Sequence, residues 1–192
     1  MGEVARKTKE TDVIVRLDLD GSGDSRVSTG IPFFDHMLAL FAKHGLFNLK
    51  VQCKGDIEVD GHHTVEDVGI ALGEALNLAV GKKEGIARYG FAYVPMDEAL
   101  CRTVVDFSGR AYLVCRAKFR AQMVGQLSTE LVEEFFRAVA VQARINLHIE
   151  VLYGKNSHHV VEAMFKSAAR AIAMAVSRNP RVKGIPSTKG VL

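Results

Sequence analysis

The sequence predicts an α+β fold made of two copies of one unit, and three observations carry that expectation. DGHHTVEDVGIALGEALNLAV (60–80) lies over NSHHVVEAMFKSAARAIAMAV (156–176). Upstream, FFDHMLALFAKHGLFNLKV (33–51) parallels VEEFFRAVAVQARINLHI (132–149) once the spacing to the later stretch is shortened by two residues in the second half. TDVIVRLDLD and ALCRTVVDFSGRAYLVCRAKF alternate apolar and polar residues as half-buried strands do, whereas the duplicated stretches repeat every three to four as helices do.

Each half therefore reads as strands, a helix, a strand and a second helix. Gly21-Ser22-Gly23 breaks the chain behind the strand TDVIVRLDLD. Pro32 suits the first turn of the next helix, where its missing N–H costs nothing, and Gly45 after FAKH is its expected stop. The halves divide near Arg88 to Val94, giving a first repeat over 1–90 and a second over 91–192 within one compact domain. Asn179-Pro180 should end the last helix. Two such units, each with an amphipathic sheet, most simply bury their apolar faces against one another with pseudo-twofold symmetry.

Composition removes several function classes. The net charge of +3 comes from basic residues scattered among 22 acidic ones, so no nucleic-acid footprint stands out. The start MGEVARKTKE has no apolar signal core and no later stretch is long and apolar enough for a membrane helix, which points to a cytoplasmic protein with no membrane partner. Cys53, Cys101 and Cys115 form no C-x-x-C pair and read as reduced thiols, not as a zinc site.

The chemistry concentrates in the duplication. His-His-x-x-Glu occurs at His62, His63, Glu66 and again at His158, His159, Glu162. On a helix, residues four apart share a face, so His62 pairs with Glu66 and His158 with Glu162, while His63 and His159 point about 100° away. Adjacent histidines of one helix cannot easily chelate one ion, but they can serve two ions on different sides, so a dinuclear arrangement completed across a subunit boundary is the natural inference. His36, in the upstream helix of the first half, can add a ligand; its counterpart in the repeat is Glu134. Imidazole and carboxylate donors without thiolate suit Mn²⁺, Fe²⁺ or Zn²⁺, with Mn²⁺ favoured by the number of ligands. His148, in a predicted strand outside the duplicated motif, reads as structural.

With GIPFFDHM, DGHHTVED, GKNSHHVVEA and the terminal GIPSTKGVL in view, the sequence resembles the imidazoleglycerol-phosphate dehydratases along nearly its whole length. That resemblance implies a duplicated fold of left-handed βαβ units, as in a ribosomal protein, with helices packed between two sheets. It implies a homo-oligomeric, 24-subunit shell built from trimers, with two Mn²⁺ ions per site held by the motifs of neighbouring subunits together with His36. Some members use a histidine at the position of Glu134, so a carboxylate ligand is expected there.

The resemblance also implies a reaction: water leaves imidazoleglycerol phosphate to give imidazoleacetol phosphate. The proton to be removed is barely acidic, and two metals that hold the ring as an imidazolate ease loss of the neighbouring hydroxyl. Glu10 is the implied general acid/base. Arg88, Arg110, Ser187 and Lys189 match phosphate-contacting positions, and His44 a substrate-contacting one. Asp67, Asp97 and Glu98 are further candidates, either orienting the histidines or lying on the surface, with Glu98 the most readily explained as surface. The competing readings are a dinuclear phosphate-ester hydrolase, a metal-storage or metal-sensing protein and, most weakly, a nucleic-acid-binding module.

Overall fold

The computed structural model describes residues 1–192. In the first half, β1 (Gly2–Lys7) and β2 (Thr11–Asp18) form an antiparallel hairpin, and β3 (Ser25–Ser28), α1 (Pro32–Gly45), β4 (Asn48–Gly55) and α2 (His62–Val80) follow. The sheet order is β1-β2-β4-β3, with β3 parallel to β4 across the α1 crossover. The second half repeats this plan with β5 (Tyr89–Met96), β6 (Ala99–Asp106), β7 (Tyr112–Arg116), α3 (Glu130–Ala143), β10 (Asn146–Tyr153) and α4 (Ser157–Val176), in the order β5-β6-β10-β7. A two-stranded hairpin, β8 (Met123–Val124) with β9 (Leu127–Ser128), is added before α3.

Alternation decides which strand faces are buried: Val13, Val15 and Leu17 of β2 and Cys101 and Val105 of β6 point inward. The helices fill the space between the sheets. α2 lies on β1 and β2 and also against α3 of the other half, while α4 lies on β5 and β6 and also against α1. Each half thus supplies the cover for the other. At that seam Phe34, Phe135, Phe136 and Phe165 pack ring to ring, with Phe135 stacked on Phe165 at 5.1 Å between centroids. Burial of such side chains contributes about 1.5–3 kcal/mol each.

The duplication reaches single atoms. A Cβ on Gly2 would sit 2.0 Å from the Ala75 carbonyl oxygen, and one on Gly90 would sit 1.9 Å from that of Ala171, so both hairpins touch their helix at matching places. α2 and α3 also approach closely, because Gly69 and Gly73 turn bare backbone toward the carbonyls of Phe135 and Val139.

Two local expectations need correction. Gly45 lies inside α1, and the left-handed residue that ends the helix is Leu46 (φ 56°), matched by Arg144 (φ 55°) after α3. Gly45 is required for packing, since a Cβ there would strike the Phe47 ring at 2.3 Å. The last helix ends at Val176, before Asn179-Pro180, where Ser177 Oγ donates to the Met174 carbonyl at 2.7 Å. The second sheet begins at Tyr89, within the Arg88 to Val94 span. No helix is long and apolar enough to cross a membrane.

Candidate functional site

Both His-His motifs open their helices. Asp60 Oδ1 accepts from the His62 amide at 2.7 Å and Asn156 Oδ1 from the His158 amide at 2.9 Å, so equivalent polar side chains start α2 and α4. The helical turn then brings His62 Nε2 to 3.8 Å from Glu66 and His158 Nε2 to 3.4 Å from Glu162. The neighbouring rings diverge at 79° and 84°, with centroids 6.3 and 5.9 Å apart.

Because α1 packs on α4, His36 reaches across the seam. One donor atom each from His36, His158 and Glu162 lie within 4.8 Å of one another, a donor set that fits a divalent first-row ion. Glu162 is buried, which works against its ionisation, but the Lys166 ammonium beside it, together with His158 and His36, leaves its pKa lowered. Phe33 packs its ring 4.9 Å from that of His158, and Ser157 Oγ accepts from the amides of Arg120 and Ala121, which ties the loop before the β8–β9 hairpin to this helix start.

The corresponding residues of the other half are arranged differently. Glu134 is equivalent to His36, but its carboxylate lies 3.3 Å from Arg137 Nε, and Arg137 also holds Glu133 at 2.8 Å. Glu134, His62 and Glu66 do not gather as tightly as the first set.

His63 and His159 each have a carboxylate behind them. Both Asp56 oxygens lie 3.1 Å from His63 Nδ1, and Glu98 Oε2 lies 2.7 Å from His159 Nδ1. These partners raise both imidazole pKa values, and they leave Nε2 as the outward donor atom. Glu98 also accepts from the amides of Lys155 and Asn156; the His159 contact and these amides hold its pKa down to about 2. Glu98 is therefore an orienting group, contrary to its expected surface role. Asp67 is not one: it is buried and binds Arg6 at 2.9 Å and the Thr11 hydroxyl. Asp97 lies 3.7 Å from His159 Nε2. His148 sits on β10 as expected, but on its exposed outer face.

Glu10, in the β1–β2 turn, lies 3.8 Å from His63 Nε2, and its carboxylate accepts no hydrogen bond from its own chain. It precedes β2 as Glu98 precedes β6, so the two glutamates are pseudo-equivalent with different partners. His44 near the end of α1 has its pKa lowered by burial and by Lys166 and Arg170 of α4.

Arg88 and Arg110 from the second repeat's sheet region and Ser187 and Lys189 from the C-terminal tail line one open cleft of about 620 Å³ with Ser108. The tail reaches it because Gly85 N donates to the Gly184 carbonyl at 2.9 Å and Arg88 Nη1 to that of Pro186 at 2.7 Å. Asp56, Lys166, Arg137 and Asp106, the partner of Arg88, were not singled out by sequence reasoning; none of them belongs to a His-His-x-x-Glu motif.

A family model described as imidazoleglycerol-phosphate dehydratase matches residues 29–172. The chain belongs to the imidazoleglycerol-phosphate dehydratase family. The dehydratase of Acetivibrio thermocellus is 57% identical over 99% of this chain and 97% of that protein, and the one from Thermoanaerobacter pseudethanolicus is 58% identical over 99% and 98%. Crystal structures of imidazoleglycerol-phosphate dehydratases agree in fold: that from Staphylococcus aureus has a TM-score of 0.82 at 40% identity, covering 93% of this chain and 99% of its own. That from Pyrococcus furiosus, in complex with (S)-C348, has a TM-score of 0.85 at 36% identity, covering 98% and 100%. Family membership makes the chain a hydro-lyase of histidine biosynthesis.

Proposed function

We propose that this dehydratase converts imidazoleglycerol phosphate to imidazoleacetol phosphate with two Mn²⁺ ions per active site, in sites completed between subunits of a homo-oligomer of 24 chains built from trimers. The observation that carries the metal reading is the convergence of His36, His158 and Glu162 within 4.8 Å. His62 and Glu66, with Glu134 as a carboxylate in place of His36, would hold the second ion once Glu134 turns from Arg137. His63 and His159 diverge from these sets with their Nδ1 atoms tied back, which suits them to an ion held by a neighbouring subunit. When bound, Mn²⁺ supplies Lewis-acid stabilisation of negative charge on the substrate's imidazole ring.

The chain's own groups do the rest. Glu10, whose carboxylate accepts no hydrogen bond from its own chain and lies beside His63, is free to move a proton at the substrate side chain. Arg88, Arg110, Ser187 and Lys189 hold the phosphate through charge-assisted hydrogen bonds, and His44 makes a further substrate contact. The cytoplasm is the proposed location.

The test is turnover of imidazoleglycerol phosphate by protein stripped with chelator and resupplied with Mn²⁺, Zn²⁺ or buffer. Mn²⁺ should restore activity; no turnover despite two bound ions per chain would overturn the reading. His62→Ala and His158→Ala should each lose metal, activity and the large assembly together, and an intact active assembly in either would sink the shared-site arrangement.

A further inference from the structure

Asp106, the last residue of β6, has no role in the reaction described above. Its surroundings give it one. The residue it holds, Arg88, adopts a left-handed backbone (φ 71°), a conformation that non-glycine residues rarely adopt. The backbone there is fixed at both ends: Arg88 N donates to the Ala175 carbonyl at 2.8 Å, and its carbonyl accepts from Phe107 N at 3.1 Å. The side chain is fixed as firmly. Nε donates to Asp106 Oδ1 at 2.8 Å, Nη2 to Oδ2 at 3.3 Å and Nη1 to the Pro186 carbonyl at 2.7 Å, and the guanidinium lies 4.8 Å over the Tyr89 ring.

A guanidinium has five N–H groups in a rigid plane, so these contacts leave two, one on each terminal nitrogen. Arg88 lines the cleft with Arg110, Ser187 and Lys189, whereas Asp106 does not. A carboxylate in the lining would repel a phosphate; one behind the guanidinium orients it and meets no anion. Lys83, only 5% exposed, lies close enough to have its pKa pulled up by Asp106 even though burial and the nearby arginines drive it down, so the single carboxylate also steadies a second buried cation.

We propose that Asp106 is a positioning residue: it fixes the Arg88 guanidinium so that its two unengaged N–H groups are presented, preorganised, to a phosphate monoester. The inference rests on the phosphate reading of this cleft. Preorganisation lowers the cost of binding, and its loss should weaken phosphate binding about tenfold.

The experiment compares wild type, Asp106→Ala, Asp106→Asn, Arg110→Ala and Lys189→Ala in the metal-loaded enzyme. Inorganic phosphate and free imidazole are the two competitive probes, alongside KM and kcat. For Asp106→Ala, KM and the phosphate inhibition constant should both rise about tenfold, with kcat within about twofold and imidazole inhibition unchanged. Asp106→Asn, which keeps one acceptor for Nε, should recover part of the loss. Unchanged phosphate inhibition in both Asp106 variants, while Arg110→Ala weakens it, would overturn the positioning role. So would equal weakening of phosphate and imidazole, which is the pattern of a merely structural residue. If Arg110→Ala and Lys189→Ala also leave phosphate inhibition unchanged, the phosphate reading itself fails.

Discussion

Asp56→Ala removes the group behind His63 and nothing else of the loop. Its backbone N still donates to the Glu10 carbonyl at 3.1 Å, and its carbonyl still accepts from Val59 N at 2.9 Å, so the turn between β4 and α2 persists. What is lost is the pair of 3.1 Å contacts to His63 Nδ1, which pin the ring and keep Nε2 outward. Loss of such a partner lowers metal affinity about 10- to 100-fold, or about 1.4–2.7 kcal/mol. A smaller effect opposes it: Asp56 also raises the His63 pKa, so without it fewer protons compete for the ring near neutrality. At about pH 8, above the ordinary histidine range, proton competition is weaker and orientation weighs more. Titration of chelator-stripped protein with Mn²⁺ at that pH, following free Mn²⁺ by electron paramagnetic resonance, should show the weakening, with Asp56→Asn losing less. A Kd within twofold of wild type in Asp56→Ala, alongside a clear loss in His63→Ala, would refute the argument.

Gly73→Ala tests the α2–α3 contact, because the added Cβ would stand 2.7 Å from the Val139 carbonyl oxygen and 2.8 Å from Gln142 Cβ. On an open helix face the change gains about 1 kcal/mol in propensity, but overpacking costs about 1–3 kcal/mol, so thermal unfolding should shift down; a raised Tm would contradict the close packing. Acid stability should depend on Glu98, whose folded pKa of about 2 lies below that of the unfolded chain. Its stabilisation is full above the ordinary glutamate range and lost as pH falls toward 2, so denaturant midpoints of metal-free Glu98→Gln should decline less steeply there. Its partner His159, with a raised pKa, has the opposite sign: that contribution is full below the ordinary histidine value and lost as pH rises through the raised one. An identical acid slope in the variant would remove Glu98 from the account.

Much of the fold was legible because the duplication is written twice. Pro32 and Glu130 open corresponding helices, and the motif helices follow with two residues fewer between them, as the self-alignment of the sequence requires. The pairing of His62 with Glu66 and of His158 with Glu162 followed from helical periodicity alone. The meeting of His36 with His158 and Glu162 was different: it depends on α1 covering α4 of the other half, a tertiary choice that no local spacing encodes. Asp56, Lys166 and Asp106 were invisible for a related reason. Each matters through the one side chain it holds, Asp56 through His63, Lys166 through Glu162 and Asp106 through Arg88, and a single charge carries no pattern. Gly45 misled because glycine ends helices so often; here the Phe47 ring excludes a side chain, and Leu46 takes the strained backbone.

Glu10 and Glu98 occupy the same place in the two units, yet one carboxylate is free and the other is bound to His159 and two backbone amides. A symmetric dimer of separate units would be encoded by one stretch of sequence, and any change made to improve the buttress at one position would be imposed on the other. Joining the units in one polypeptide removes that constraint. Each position can then be selected for its own task, so that one glutamate becomes scaffolding while its twin keeps a carboxylate that no group of its own chain has claimed by a hydrogen bond.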